Sequence, residues 1–114
     1  MGSLMDFLKN WKLKLRYGRL KTNFRHYTLL ADGEIATPNA DYRTEVGPAV
    51  FGMKVWAPNI DEAVDMIRVI GRHLGFLPLG HIQVYETEPD EPPRQQPHGY
   101  HLKFIPYGHD QTQH

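Results

Sequence analysis

The sequence predicts an α+β fold. The expected architecture is a two-layer sandwich: a four- to five-stranded, mainly antiparallel sheet with one main helix (59–74) on one face and a second helix at the N-terminus. Three observations carry this expectation. Period-two alternation recurs in short segments, clearest at Val50–Ala57, His81–Thr87 and Tyr100–Ile105. A single strong apolar stripe at helical spacing runs through Ile60, Ala63, Val64, Ile67, Ile70, Gly71 and Leu74. One such helix cannot cover both faces of a sheet, so the layers number two rather than three.

Leu4, Leu8, Trp11 and Leu15 recur at helical spacing behind Ser3, a helix N-cap type, although Trp11–Tyr17 also alternates as a strand would. The helix is the favoured reading for 3–16, and Gly18 breaks it. His26–Ala31 reads as a strand. Asp32-Gly33 is a hairpin signal, with Glu34–Thr37 as the return strand. Residues 38–48 form a polar connection. In Val50–Ala57, Phe51, Met53, Val55 and Ala57 share one face and Val50, Gly52, Lys54 and Trp56 the other. Pro58 stops that strand, Asn59 caps the main helix with Glu62 in capping-box position, and Gly75 ends it. His81–Thr87 is the next strand, with Ile82 and Val84 on its apolar face. Four prolines between Glu88 and Gly99 exclude a helix there. Tyr100–Ile105 is the last strand, with Tyr100, Leu102 and Phe104 expected to face the helix. The organisation is therefore a basic N-terminal segment (1–20), one α+β domain (21–107) and a polar tail (108–114).

At 114 residues, with 40% apolar and 23% charged residues, the chain fits one soluble globular domain with a core of its own. No apolar run reaches the roughly 18 residues of a membrane span, and Asp6, Lys9 and Asn10 interrupt any leader-like run. Cysteine is absent, which excludes disulfides, thiolate metal sites and cysteine nucleophiles, and accords with a cytoplasmic setting. The net charge of zero is unevenly spread. Residues 1–25 carry seven Lys/Arg against Asp6 alone, a net of +6, and the remainder carries −6. The simplest use of such asymmetry is a basic segment resting on an acidic body, its own or that of a second copy.

The sheet face turned away from the helix is expected to carry Trp56 and Lys54, then His81, Gln83 and Tyr85, then His101, Lys103 and Ile105. That mixture is too apolar for an ordinary solvated surface. The leading expectation is that two copies pack through this face, or that the N-terminal helix lays Leu4, Leu8, Trp11 and Leu15 over it. Self-association or protein binding is expected through Trp56, Tyr85, His81, His101 and Ile105, with Lys54, Lys103 and Trp11 assisting. Trp56 is expected to serve association more than the fold. A second reading is a small-molecule site walled by Trp56, Tyr85 and His81. A third is a single-stranded nucleic-acid binder, which the acidic body opposes. His98 and His101, with His81, His109 and Asp110 nearby, are the only metal-ligand candidates. Their spacing lacks a three- or four-ligand pattern, so no metal or other cofactor is expected. Ser3 is the only serine and there is no phosphate-binding glycine loop, so the residues lean against an enzyme.

Overall fold

The computed structural model describes residues 22–107. The expected N-terminal helix and its Trp11, together with His109 and Asp110, lie outside the described residues. Four strands and one helix follow in the order β1 (Arg25–Ile35), β2 (Gly47–Ala57), α1 (Ile60–His73), β3 (Phe76–Glu86) and β4 (His98–Pro106). A 3-10 turn, Ala40–Tyr42, sits in the β1–β2 connection. The strands form one sheet in the order β3-β1-β2-β4, every neighbouring pair antiparallel. No described helix is long and apolar enough to cross a membrane.

The core lies between α1 and one face of the sheet. Tyr27, Leu29 and Ala31 of β1 and Ala49, Phe51, Met53, Val55 and Ala57 of β2 are buried there against Ala63 and Ile67 of α1. Phe76, Ile82, Val84, Leu102 and Phe104 complete it from the outer strands. Alternation put Phe51, Met53, Val55 and Ala57 on this shared face, and β2 keeps that period because its pairing with β1 is regular. α1 starts where Asn59 leaves extended backbone and its side-chain oxygen accepts the Glu62 N–H at 2.9 Å. Asp61 and Glu62 in the first turn and Arg72 and His73 in the last complement the helix dipole. Replacing Asn59 with alanine leaves that N–H without its cap. The expected cost is about 1 kcal/mol, read as a lower urea midpoint.

Two strand boundaries differ from the sequence expectation. Asp32-Gly33 is not a turn: β1 runs straight through it, and the chain reverses only in residues 36–46. Gly33 is there for space, since a Cβ at that position would collide with the Leu77 carbonyl of the neighbouring strand. β3 begins at Phe76, five residues before the expected start, and carries Pro78 and Gly80 inside it. Its place at the edge of the sheet makes the proline tolerable, because one side of an edge strand needs no N–H donor. The pairing slips between Ala31 and Gly33 to absorb the irregular stretch.

The third difference shapes the rest of the molecule. Between Gly52 and Lys54 the β2–β4 register shifts, and His101 in the facing stretch adopts a left-handed backbone (φ 53°). This bulge turns Tyr100 to the opposite face from Leu102 and Phe104. Tyr100 pairs with Lys54, and His98 with Trp56, whereas Phe104 pairs with Phe51. Tyr100 therefore leaves the helix side, contrary to the strict alternation expected for this strand.

Candidate functional site

Topology dictates what covers the second sheet face. β2 and β3 are both antiparallel to β1, hence parallel to each other with β1 between them. β3 and β4 occupy the two edges, so the connection between them, residues 87–97, must cross one end of the sheet. It crosses on the face opposite α1, over His26 of β1 and Trp56 of β2. Prolines 89, 92, 93 and 97 make this strap a stiff one.

Five side chains pin the strap down. The Thr87 N–H extends the β1–β3 ladder by donating to the His26 carbonyl at 3.0 Å. His26 Nδ1 lies 3.0 Å from the Thr87 carbonyl oxygen and 3.1 Å from its hydroxyl. The Tyr100 hydroxyl lies 2.5 Å from His26 Nε2 and accepts the Asp90 N–H at 2.9 Å. Trp56 Nε1–H donates to the Glu91 carbonyl at 2.9 Å. Lys54 pairs with Asp90, and His98 Nε2 meets a Glu91 carboxylate oxygen at 2.7 Å. The rings pack as one group. His26 meets Trp56 edge-on at 5.1 Å, and His98 stacks on Tyr100 at 5.7 Å. His26, Trp56 and Tyr100 are only 4%, 6% and 7% exposed. His98 Nδ1 is buried without a hydrogen-bond partner.

These contacts suit one protonation state of His26. A carbonyl can only accept, so the Thr87 carbonyl contact is a hydrogen bond when His26 Nδ1 carries the proton, and the Thr87 hydroxyl beside it can accept from the same N–H. In that tautomer Nε2 is unprotonated and can only accept, so the Tyr100 hydroxyl donates to it while its oxygen accepts the Asp90 N–H. Burial pushes the His26 pKa down, against the opposing pull of the Thr87 backbone hydrogen bond. Burial also raises the Tyr100 pKa, and the Lys54 hydrogen bond holds the Asp90 carboxyl below the usual range.

Among the described residues, nothing covers the face beyond the strap. Register places Tyr85, Thr28, Lys54 and Tyr100 in one row, and Gln83, Leu30, Gly52 and Lys103 in the next. Leu30 lies against Gly52, and the Lys103 stem flanks the same glycine. A depression of about 400 Å³ between β1, β2 and β4 is floored by Thr28, Leu30 and Gly52 and rimmed by Lys54, His101 and Lys103. Tyr85 and Ile105, on opposite edge strands, are 50% and 47% exposed.

The sequence candidates thus separate into two groups. Tyr85, Lys54, Lys103 and Ile105 belong to the open face. Trp56 does not: the strap roofs it, so it is buried rather than part of an exposed surface. His81 is exposed in the irregular part of β3, away from Trp56, so the three walls of the small-molecule reading do not converge. His101 sits in the bulge, 3.8 Å from Asp90. His98 faces Glu91 rather than His101, and among the described residues no group of three metal-ligating side chains forms. Sequence reasoning missed His26, Thr87 and Thr28. Their only signal was His26 sharing strand parity with Thr28 and Leu30, which marks the face but not the strap. Comparison of the chain with protein-family models, curated proteins and solved structures finds no match.

Proposed function

We propose that the protein is a non-catalytic association module whose open sheet face pairs with the same face of a second copy. The observation that carries this reading is the half-covered sheet. The helix protects one face and the strap one end of the other, leaving an apolar floor flanked by exposed Tyr85 and Ile105. Two features favour a second copy as the occupant. The face carries Lys54 and Lys103 toward one side and Asp32 and Glu34 toward the other, so a two-fold axis sets basic against acidic. Leu30 and the Lys103 stem, which cover the buried Gly52, also give the pair a shallow apolar centre. The imidazole and phenol with the strongest local chemistry, His26 and Tyr100, are occupied by the strap, which favours binding over catalysis.

Ile105→Asp tests the reading. Ile105 is half exposed, so the change should leave the urea midpoint of the monomeric fold within about 0.5 kcal/mol of its original stability. Light scattering after size exclusion should show the wild-type dimer replaced by a monomer. A variant that keeps the wild-type mass contradicts pairing through this face.

A further inference from the structure

We infer that residues 87–97 are an acid-released strap, closed only while His26 is neutral and protonated at Nδ1, and that its opening bares a second surface floored by Trp56 and Tyr100. The inference does not depend on the pairing of the open face. It rests on the direction of each hydrogen bond. His26 Nδ1–H holds Thr87, the first residue of the strap, and His26 Nε2 receives the Tyr100 hydroxyl. The same hydroxyl oxygen receives the Asp90 N–H. One neutral imidazole therefore organises both ends of a short chain of bonds, strap to strand to strap.

A second proton on His26 can go only to Nε2. That N–H would point at the Tyr100 oxygen, which the Asp90 N–H already occupies, and the phenol hydrogen would lose its acceptor. The alternative is for Tyr100 to turn away, which releases Asp90. The charged ring would also be kept from water, at 4% exposure. Its surroundings are mixed. Lys54 on β2 and His98 on β4 disfavour the added charge, and Asp90 favours it. Glu88 and Glu91 of the strap, His101 of β4 and the Arg25–Glu86 pair at the strap's root complete the charged surroundings. Lys54 already pairs with Asp90, which blunts the one attraction.

The sign follows. His26 binds its second proton less readily when the strap is closed than when it is open. Closure is therefore fully supported above the ordinary histidine value of 6.5 and weakens as the pH falls through that value toward the lowered one. The strap opens first because individual polar side-chain contacts tie it down, whereas the sheet beneath is packed against α1.

The test uses the full-length wild-type chain in nitrogen-resolved NMR between pH 7.5 and 5. The His26 ring should show the Nδ1–H tautomer at pH 7.5. As the ring titrates, protection of the Asp90 amide and of the Trp56 indole N–H should fall, corrected for intrinsic exchange. The β1 and β2 amides at Leu29 and Val55 should stay protected. His26→Gln, which offers hydrogen bonds but does not titrate, should abolish that pH dependence. An Nε2–H tautomer at pH 7.5 would overturn the inference. So would unchanged Asp90 protection while His26 titrates, or simultaneous loss of strap and core protection. The wild-type data decide the matter even if the variant does not fold.

Discussion

Phe51→Ala is expected to remove about 3–5 kcal/mol of stability. Phe51 is fully buried at the centre of the helix–sheet interface. It stacks on Phe104 with ring centroids 4.6 Å apart and an interplanar angle of 14°, and packs at a tilt on Phe76 at 5.6 Å. Gly71 of α1 comes so close that a Cβ there would meet the Phe51 ring at 3.2 Å. The ring therefore joins β2, β3, β4 and the helix in one contact group. Its loss leaves a cavity that the regular central strands cannot collapse to fill, and that rigidity puts the cost toward the upper part of the range. Small domains are held by about 5–15 kcal/mol, so the variant would keep little reserve. A urea titration followed by tryptophan fluorescence and circular dichroism reads the effect. A loss below about 1 kcal/mol would mean that the aromatic group is not the centre of the core.

Gly75→Ala is the second change with a large expected effect, and its mechanism differs. Gly75 has φ 96°, a backbone region that L side chains rarely enter. A Cβ there would also run into the Thr37 carbonyl. The Gly75 carbonyl accepts the Ala36 and Thr37 N–H groups at 2.8 and 3.1 Å, tying the end of α1 to the exit of β1. The conformational penalty alone is about 1–3 kcal/mol, and displacement of Thr37 adds the weakening of those two bonds. Thermal unfolding of the variant should begin at a visibly lower temperature. Hydrogen exchange should show the last turn of α1 and residues 36–37 losing protection first. Uniform destabilisation without that local signature would argue against the tie between α1 and β1.

Much of the fold was legible because local and global signals agreed where the core is thickest. Asn59, the stripe from Ala63 to Leu74 and Gly75 each mark α1 by independent physics: a cap, a face and a left-handed stop. Phe51, Met53, Val55 and Ala57 alternate without interruption because β2 is central and pairs on both sides. Legibility failed where the tertiary environment overrules a local cue. Asp32-Gly33 has the composition of a hairpin turn, but its glycine answers to the close passage of Leu77. Pro78 and Gly80 read as a break, yet an edge strand accommodates both.

The candidate site was legible in part. Alternation placed Lys54, Tyr85, Lys103 and Ile105 on the face away from the helix, as the pairing register has them. It put Tyr100 on the wrong face, because a single bulge at His101 inverts everything before it on that strand. Trp56 lies on the expected face but beneath the strap rather than exposed. Nothing local in Thr87–Pro97 announces that it folds back over His26. That follows only from strand order, which puts β3 and β4 on opposite edges and obliges their connection to cross.

Sedimentation equilibrium of the full-length chain, over a concentration range from low to high micromolar, tests the central claim most directly. Pairing of the open faces predicts a mass that rises with concentration to twice that of the chain and goes no higher, the closed stoichiometry of a two-fold interface. A single-chain mass at every concentration would contradict the account and leave the face around Leu30 and Gly52 without the occupant assigned to it.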